Sequence, residues 1–553
     1  MTDSKQHAAA NQPDAEGVFA DVTDARLSRR RALGLLAGAG AVGVLAACSN
    51  GSGPAPTPSP RRSITPTAGP PSAPATASNA DWRALRHGMT GGLRRRGEAG
   101  YDGASLLFEP RFDDIRPAAV AQVASDADVA RCLDFAQRFA LPIAIRSGGH
   151  SYLGGSTGTG LVIDVRELRD VKVDGNGTAT IGAGAALIDV YSGLAAHDVA
   201  IPAGSCPSVG LSGLALGGGV GVVTRKYGLT CDRILSAQIV TADGQTLTAD
   251  ATQHSDLYWA LRGGGGNFGV VTSLTFQTHP TVPLSHAFLV WPWPAAADVV
   301  SAWQTFATTA PRELWSACHI LAPDNTSLGP SVSVPAVHVG PVSELSAHLE
   351  ALIAAVPIPP TTRSMNDDSY GATMLLEAGC SDISLAQCRV AEETPGGTLP
   401  RGSFLAGSDY FRRPIPAAGV AAMIEAVARR AADPKLSNGG VSLDVLGGAV
   451  DDLASDATAY VHRGALFNAQ YSAAWAGGGN GPAARNRASL TAIHSTLHPY
   501  STGQAYQNYA DASLADPQRA YYGANLPRLI EVKQTYDPAN VFAQPQGIAP
   551  TPR

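Results

Sequence analysis

The sequence predicts an α+β protein with two folded units, helical and strand-like patterns alternating along the chain. Three observations carry this. First, Val129, Leu133, Ala136 and Ala140 repeat at helical spacing directly before the apolar runs Ile143-Ala144-Ile145 and Leu161–Val165. Second, Val270–Phe276 alternates and is rich in β-branched residues, as a half-buried strand should be. Third, residues 286–495 read as a further α/β unit, with strand-like His286–Trp291 and helix-like Pro416–Ala432.

At 553 residues the chain has room for a large core and more than one domain. Hydrophobic residues make up 44% and charged residues 16%, the balance of a globular protein rather than a disordered or polytopic membrane one. The formal net charge of −6 offers no basic footprint, so no nucleic-acid partner is expected. The sustained apolar run, Ala32–Ala47, follows Ser28-Arg29-Arg30-Arg31 and is short for a bilayer span. It looks like a twin-arginine export signal over 1–47. Its end, Leu45-Ala46-Ala47-Cys48, is similar to a lipobox, which would place a lipid tether on Cys48 and the protein outside the cytoplasm. Residues 48–80, rich in Ser, Gly and Pro, read as a linker unable to bury enough apolar area to order itself.

The folded part opens with a helix whose start, Ser125-Asp126-Ala127-Asp128, resembles a capping box, and Pro142 stops it. The strand at Ile143 runs into Arg146-Ser147-Gly148-Gly149-His150-Ser151, a turn able to bring backbone N–H groups close to an anion. Further glycines crowd the stretch from Gly204 to Gly221, too dense for a good helix or strand interior. They suit backbone wrapped around a flat, phosphate-bearing ligand. Two G-x-G-x-x-G matches, at Gly38–Gly43 and Gly264–Gly269, are rejected as dinucleotide fingerprints. The first lies in the signal, and the second runs into a strand rather than a helix.

Four segments in order resemble the berberine-bridge-enzyme-like FAD-linked oxidases, a branch of the vanillyl-alcohol-oxidase (PCMH-type FAD-binding) superfamily. They are Arg146–Ser151, Cys206–Gly221, Asp256–Gly269, and the C-terminal run from Tyr506-Gln507-Asn508-Tyr509 to Phe542. The resemblance implies a two-subdomain FAD-binding domain over 81–285. It also implies a substrate domain over 286–495 with an antiparallel sheet backed by helices, and a segment 496–553 returning to complete the FAD site. It implies bicovalent FAD through His150 and Cys206. Arg146, Ser147, Gly148 and Gly149 would stand at the pyrophosphate, and Ser151, Val209, Gly210, Gly213, Gly217, Gly218, Gly221, Val270 and Asn508 would line the cofactor. Val209, the smaller choice where family members differ, would favour reaction with oxygen. Tyr506 is the first choice of catalytic base, with Tyr509 second or its helper.

In the second unit, Tyr460, His462, Asn468 and Gln470 fall on one face of a single alternating run, the pattern of a strand offering polar groups to substrate or to solvent. Gln470 is the candidate substrate contact. Trp291, Trp293 and Trp303 suit either a sugar-stacking platform or the core. Cys380 and Cys388, eight apart, are the best disulfide candidates, and the remaining cysteines read as buried thiols. No C-x-x-C or H-E-x-x-H pattern occurs, so no metal site is expected. The expected activity is FAD-dependent oxidation of a carbohydrate or secondary-metabolite alcohol, with O2 forming H2O2. The alternatives are a dehydrogenase with another acceptor, oxidative ring closure, or a surface lipoprotein that has lost turnover.

Overall fold

A computed structural model describes residues 76–323, 329–475 and 481–551. The export signal, Cys48 and nearly all of the linker lie outside the described residues. The first helix among the described residues, Asn79–Gly88, starts just inside the expected linker. Ser78 caps it in a reciprocal box with Asp81, a signal the sequence reading passed over.

Two small sheets form the first unit. In one, β1 (Gly92–Arg95) pairs antiparallel with β2 (Ala119–Gln122), and β3 (Ile143–Arg146) and β4 (Leu161–Asp164) run parallel to β2 in the order β1-β2-β4-β3. The helix Asp126–Arg138 links β2 to β3 and ends short of Pro142, where the helical pattern stops. Its capping box is only half formed. Ser125 accepts from the Asp128 N–H, but the Asp128 carboxylate accepts from Thr90, Gly91 and Ala124 and so ties the helix to β1. The second sheet contains β5 (Val171–Val173), β6 (Thr178–Gly182), β8 (Ile234–Val240), β9 (Thr246–Asp250) and β10 (Val270–Gln277), antiparallel in the order β5-β6-β10-β8-β9. The short pair β7 (Val199–Ala200) and β11 (His279–Pro280) closes this unit.

The second unit is a seven-stranded antiparallel sheet. Its strands are β12 (Leu284–Trp291), β13 (Leu314–Ala322), β14 (Ser331–His338), β15 (Thr362–Asp368), β16 (Ser403–Phe411), β17 (Gly439–Val445) and β18 (Phe467–Trp475), in the order β15-β12-β14-β13-β17-β18-β16. The helices Ala296–Thr309, Val342–Ala355, Ala417–Ala432 and Ala483–Leu497 cover one face. The other face looks towards the first unit. Trp291 and Trp303 are buried in the core beneath the helices, where the Trp303 indole donates to Ser316 Oγ, so neither serves as a sugar platform.

One expected element divides. Tyr460 and His462 do not share a strand with Asn468 and Gln470, because the chain turns at Gly464, which sits at φ +72°, before β18 begins. Tyr460 and His462 are instead buried around Tyr410: its hydroxyl meets that of Tyr460 at 2.9 Å, and its ring stacks on His462. Cys380 and Cys388 form a disulfide, and Cys132, Cys231 and Cys318 are buried thiols.

The last segment packs against the first unit. Its anchor is Lys533 on the helix Leu526–Tyr536. The buried ammonium donates to Asp537 (2.7 Å) and to the carbonyls of Asn267 (2.7 Å) and Phe542 (3.3 Å), using its three protons. The Asn267 side chain accepts from the Ile548 N–H, so the glycine loop before β10 and the C-terminal run hold each other.

Candidate active site

Between the glycine turns of the first unit, the bare face of the seven-stranded sheet and the returning segment lies a cavity of about 380 Å³. That is in the range of small-molecule and cofactor sites. Ser147, Gly148, Gly149, His150, Ser151, Cys206, Val209, Gly210, Gly213, Gly217, Gln470, Tyr506, Asn508 and Tyr509 all line it. Four expected residues stand behind the wall. The Arg146 guanidinium turns away to Asp164 at 3.0 Å and to the carbonyls of Leu106 and Ala104. Gly218 and Gly221 pack against neighbouring chain, and Val270 lies in the sheet core.

The glycines are explained by backbone contact. A Cβ on Gly148 would lie 2.2 Å from the Gly210 nitrogen, and one on Gly210 equally close to the Gly148 nitrogen, so any side chain would force the two turns apart. Gly213, on the cavity wall in the short helix Leu211–Leu216, has nothing within 4 Å of where its Cβ would stand. A side chain there would fill the cradle. A flat ligand with phosphates, approached by bare backbone, fits these walls.

His150 and Cys206 face the same cavity through one intermediary. Ser208 Oγ lies 3.0 Å from His150 Nε2 and 3.9 Å from Cys206 Sγ. Phe108 stacks on the imidazole at 3.9 Å. Burial drives the His150 pKa down to about 3, leaving a neutral ring, and pushes the Cys206 thiol up against the opposing hydrogen bond from Ser208.

The two tyrosines differ. Tyr506 is 2% exposed, and its hydroxyl oxygen accepts from the Gly219 N–H (2.8 Å) and the Asn508 amide (2.9 Å). Asn508 also donates to the Leu214 carbonyl, and the Tyr506 N–H donates to Ser408, so Tyr506 stitches three parts of the wall. Tyr509 lies edge-on to Tyr506 and stacks over Tyr152 at 6.1 Å, and no hydrogen bond forms to its hydroxyl among the described residues. Burial raises its pKa, and the Asp444 carboxylate raises it further. Tyr152 Oη accepts from the Gln470 amide at 3.3 Å.

Strand register explains Gln470. Ser408, Gln470, Ser442 and His319 are direct cross-strand partners, a polar row on the cavity-facing side of β16, β18, β17 and β13. One step along, Asn468 stands opposite Asp444. Asp444 went unnoticed in the sequence, and desolvation alone pushes its carboxyl up to about 7. Its signal was present: Val441-Ser442-Leu443-Asp444-Val445 alternates with the same period of two that exposed Gln470. Tyr152, Ser208 and His319 were also missed, since their importance comes from pairing with distant segments.

Residues 117–250 match the family described as FAD binding domain, and residues 505–549 match that described as Berberine and berberine like. Over 475 residues, covering 84% of this chain and 98% of the relative, the sequence is 31% identical to an uncharacterized FAD-linked oxidoreductase, YgaK, of Bacillus subtilis. The chain belongs to the berberine-bridge-enzyme-like FAD-linked oxidoreductases. This berberine-bridge-like enzyme is 30% identical over 470 residues to a chitooligosaccharide oxidase of Gibberella zeae, covering 81% of this chain and 90% of that one. It matches the solved structure of Physcomitrella patens BBE-like 1 at 30% identity and TM-score 0.77, covering 85% of this chain and 99% of that chain. A carbohydrate oxidase from Microdochium nivale, at 24% identity and TM-score 0.75, covering 85% of this chain and 99% of that chain, shares the fold. The matched FAD binding domain supports FAD as the cofactor of this berberine-bridge-like enzyme, and the walls of the cavity fit that group by the glycine contacts above.

Proposed function

We propose that this enzyme oxidises the anomeric hydroxyl of a sugar or oligosaccharide to a lactone and reduces O2 to H2O2. The observation that carries the reading is the placement of Tyr509: its hydroxyl has no hydrogen-bond partner among the described residues and lies in the cavity, under the charge of Asp444 and beside the Gln470–Tyr152 pair. FAD, when bound, supplies the hydride acceptor and a route for the electron pair to oxygen. Tyr509 takes the substrate hydroxyl proton as the carbon gives up its hydride, and its own phenolic proton passes by way of a bridging water to Asp444 in its ionised form. A carboxyl poised near 7 suits the exchange. Tyr506, first choice from the sequence, is instead the holder of Gly219 and Asn508.

The polar row of Gln470, Ser442 and His319 offers hydrogen bonds to sugar hydroxyls. The family relative named a chitooligosaccharide oxidase supports a carbohydrate over a secondary-metabolite alcohol. Val209 lines the cavity, and its short side chain favours oxygen access. His150 and Cys206 are the attachment points for covalent FAD. Ser208 engages Nε2, which leaves Nδ1 of the neutral imidazole as the bonding nitrogen. Export by the twin-arginine route with Cys48 lipidated is part of the same reading, since that route carries proteins already folded around a cofactor.

The test uses the full chain purified from cytoplasmic expression. Trichloroacetic acid should leave the yellow colour in the pellet, and oxygen uptake with peroxide release should follow addition of cellobiose, xylobiose or chitobiose. Dye reduction by these sugars without oxygen uptake would replace the oxidase with a dehydrogenase. Silence towards every sugar would remove the carbohydrate assignment.

A further inference from the structure

On the helix-covered side of the sheet, away from the FAD cavity, β16 and the end of the helix Ala483–Leu497 bring three metal-ligating groups together. Asp409 lies on β16 and its side chain is 2% exposed. Its Oδ2 is 3.0 Å from His494 Nε2, and its Oδ1 is 3.0 Å from His498 Nδ1. The two histidines are four apart, one on the last turn of the helix and one at its C-cap. Their rings lie 4.8 Å apart, and the donor atoms of all three residues fall within 4.8 Å of one another.

We propose that Asp409, His494 and His498 form a binding site for a divalent d-block cation of the zinc class, holding the helix Ala483–Leu497 to β16. Two imidazoles and one carboxylate are the donor set such ions prefer, whereas magnesium and calcium call for oxygen ligands throughout. Tetrahedral bonds of about 2.0–2.2 Å place neighbouring donors roughly 3.4 Å apart, so the two 3.0 Å pairs need only open slightly. His498, 48% exposed, can swing to close the third edge, and its exposure leaves an entry path and room for a water as fourth ligand.

The surroundings agree. Tyr471, fully buried, donates its hydroxyl to Asp409 Oδ2 at 3.0 Å and sets its ring edge-on to His494, fixing both ligands from behind. No Arg or Lys pairs with Asp409 among the described residues. The charged groups in the adjoining small cavity beside His494 are Asp511, whose field favours a cation, and Arg487 and Arg111, which oppose it. On binding, each imidazole offers its lone pair, and any proton it shares with Asp409 passes to solvent. The site is invisible to local motif searches because its members come from a strand and a helix far apart in sequence. It runs against the sequence-based expectation of no metal.

Holoenzyme stripped with EDTA and dialysed into non-chelating buffer should bind one zinc per chain in titration calorimetry with zinc chloride, and no magnesium. His498→Gln, at a half-exposed position where misfolding is not at issue, should weaken zinc binding at least about tenfold. The double variant His494→Gln/His498→Gln should abolish it while the far-ultraviolet spectrum stays unchanged. No zinc uptake by the wild type, equal uptake by the double variant, or magnesium binding as tight as zinc would each overturn the site.

Discussion

Asp444→Asn sets activity against stability. Burial moves the Asp444 carboxyl from its ordinary 3.8 up to about 7. The folded chain therefore holds a proton at pH values where the unfolded chain has released it, and wild-type stability should fall as pH rises from about 4 to about 7. At 1.36 kcal/mol per unit, that displacement amounts to about 4 kcal/mol as an upper figure. Asp444 is only partly buried, and solvent screening brings the expectation to about 2 kcal/mol. Asparagine keeps the shape and carries no charge. The variant should therefore be more stable than wild type at pH 8 by that amount, with the gap closing only by about pH 4. Guanidinium unfolding of both holoproteins at the two pH values reads this directly. With a reactive sugar, the same variant should lose kcat and the rising limb of activity near pH 7. Parallel stability of the two proteins from pH 5 to pH 8 would refute the desolvated carboxylate, and with it the proton path through Tyr509.

Tyr509→Phe should lower kcat by roughly 10²–10⁴-fold, the usual weight of a positioned base, without changing the unfolding midpoint. Tyr506→Phe should do the reverse in stability, losing about 1–3 kcal/mol because the Gly219 and Asn508 donors are left unpaired. Ser208→Ala should reduce the fraction of flavin retained in the acid pellet after a fixed loading time, and loading equal to wild type would remove Ser208 from the attachment step. Lys533→Met leaves the Asp537 carboxylate buried and unpaired; thermal unfolding should register a loss of about 3–5 kcal/mol.

The ordered glycine segments made the FAD half legible, because bare backbone close to backbone, as at Gly148 and Gly210, leaves a mark in composition that needs no tertiary knowledge. Helices and strands with a strong period were equally readable: Pro416 sits at the start of a helix ending at Ala432, and β12 covers the run from His286 to Trp291. What failed was the reach of a pattern. The alternation through Tyr460, His462, Asn468 and Gln470 crosses a turn at Gly464, and period alone cannot register a break that preserves parity. Ranking the two tyrosines also lay beyond the sequence. Tyr506 and Tyr509 stand in one short run, and only the fold gives one of them two N–H partners and the other a carboxylate. Asp444 and Ser208 become chemical only through cross-strand neighbours and through a histidine far up the chain.

The interlock of Lys533, Asp537 and Asn267 also governs timing. The cavity wall that carries Tyr506 and Tyr509 comes later in the chain than the glycine turns and the sheet, and it is fastened by a lysine later still. A nascent chain can thus shape its glycine turns and its sheet before the wall that carries these tyrosines exists. A product terminated before Tyr506 would lack both tyrosines and expose a cavity open on one side.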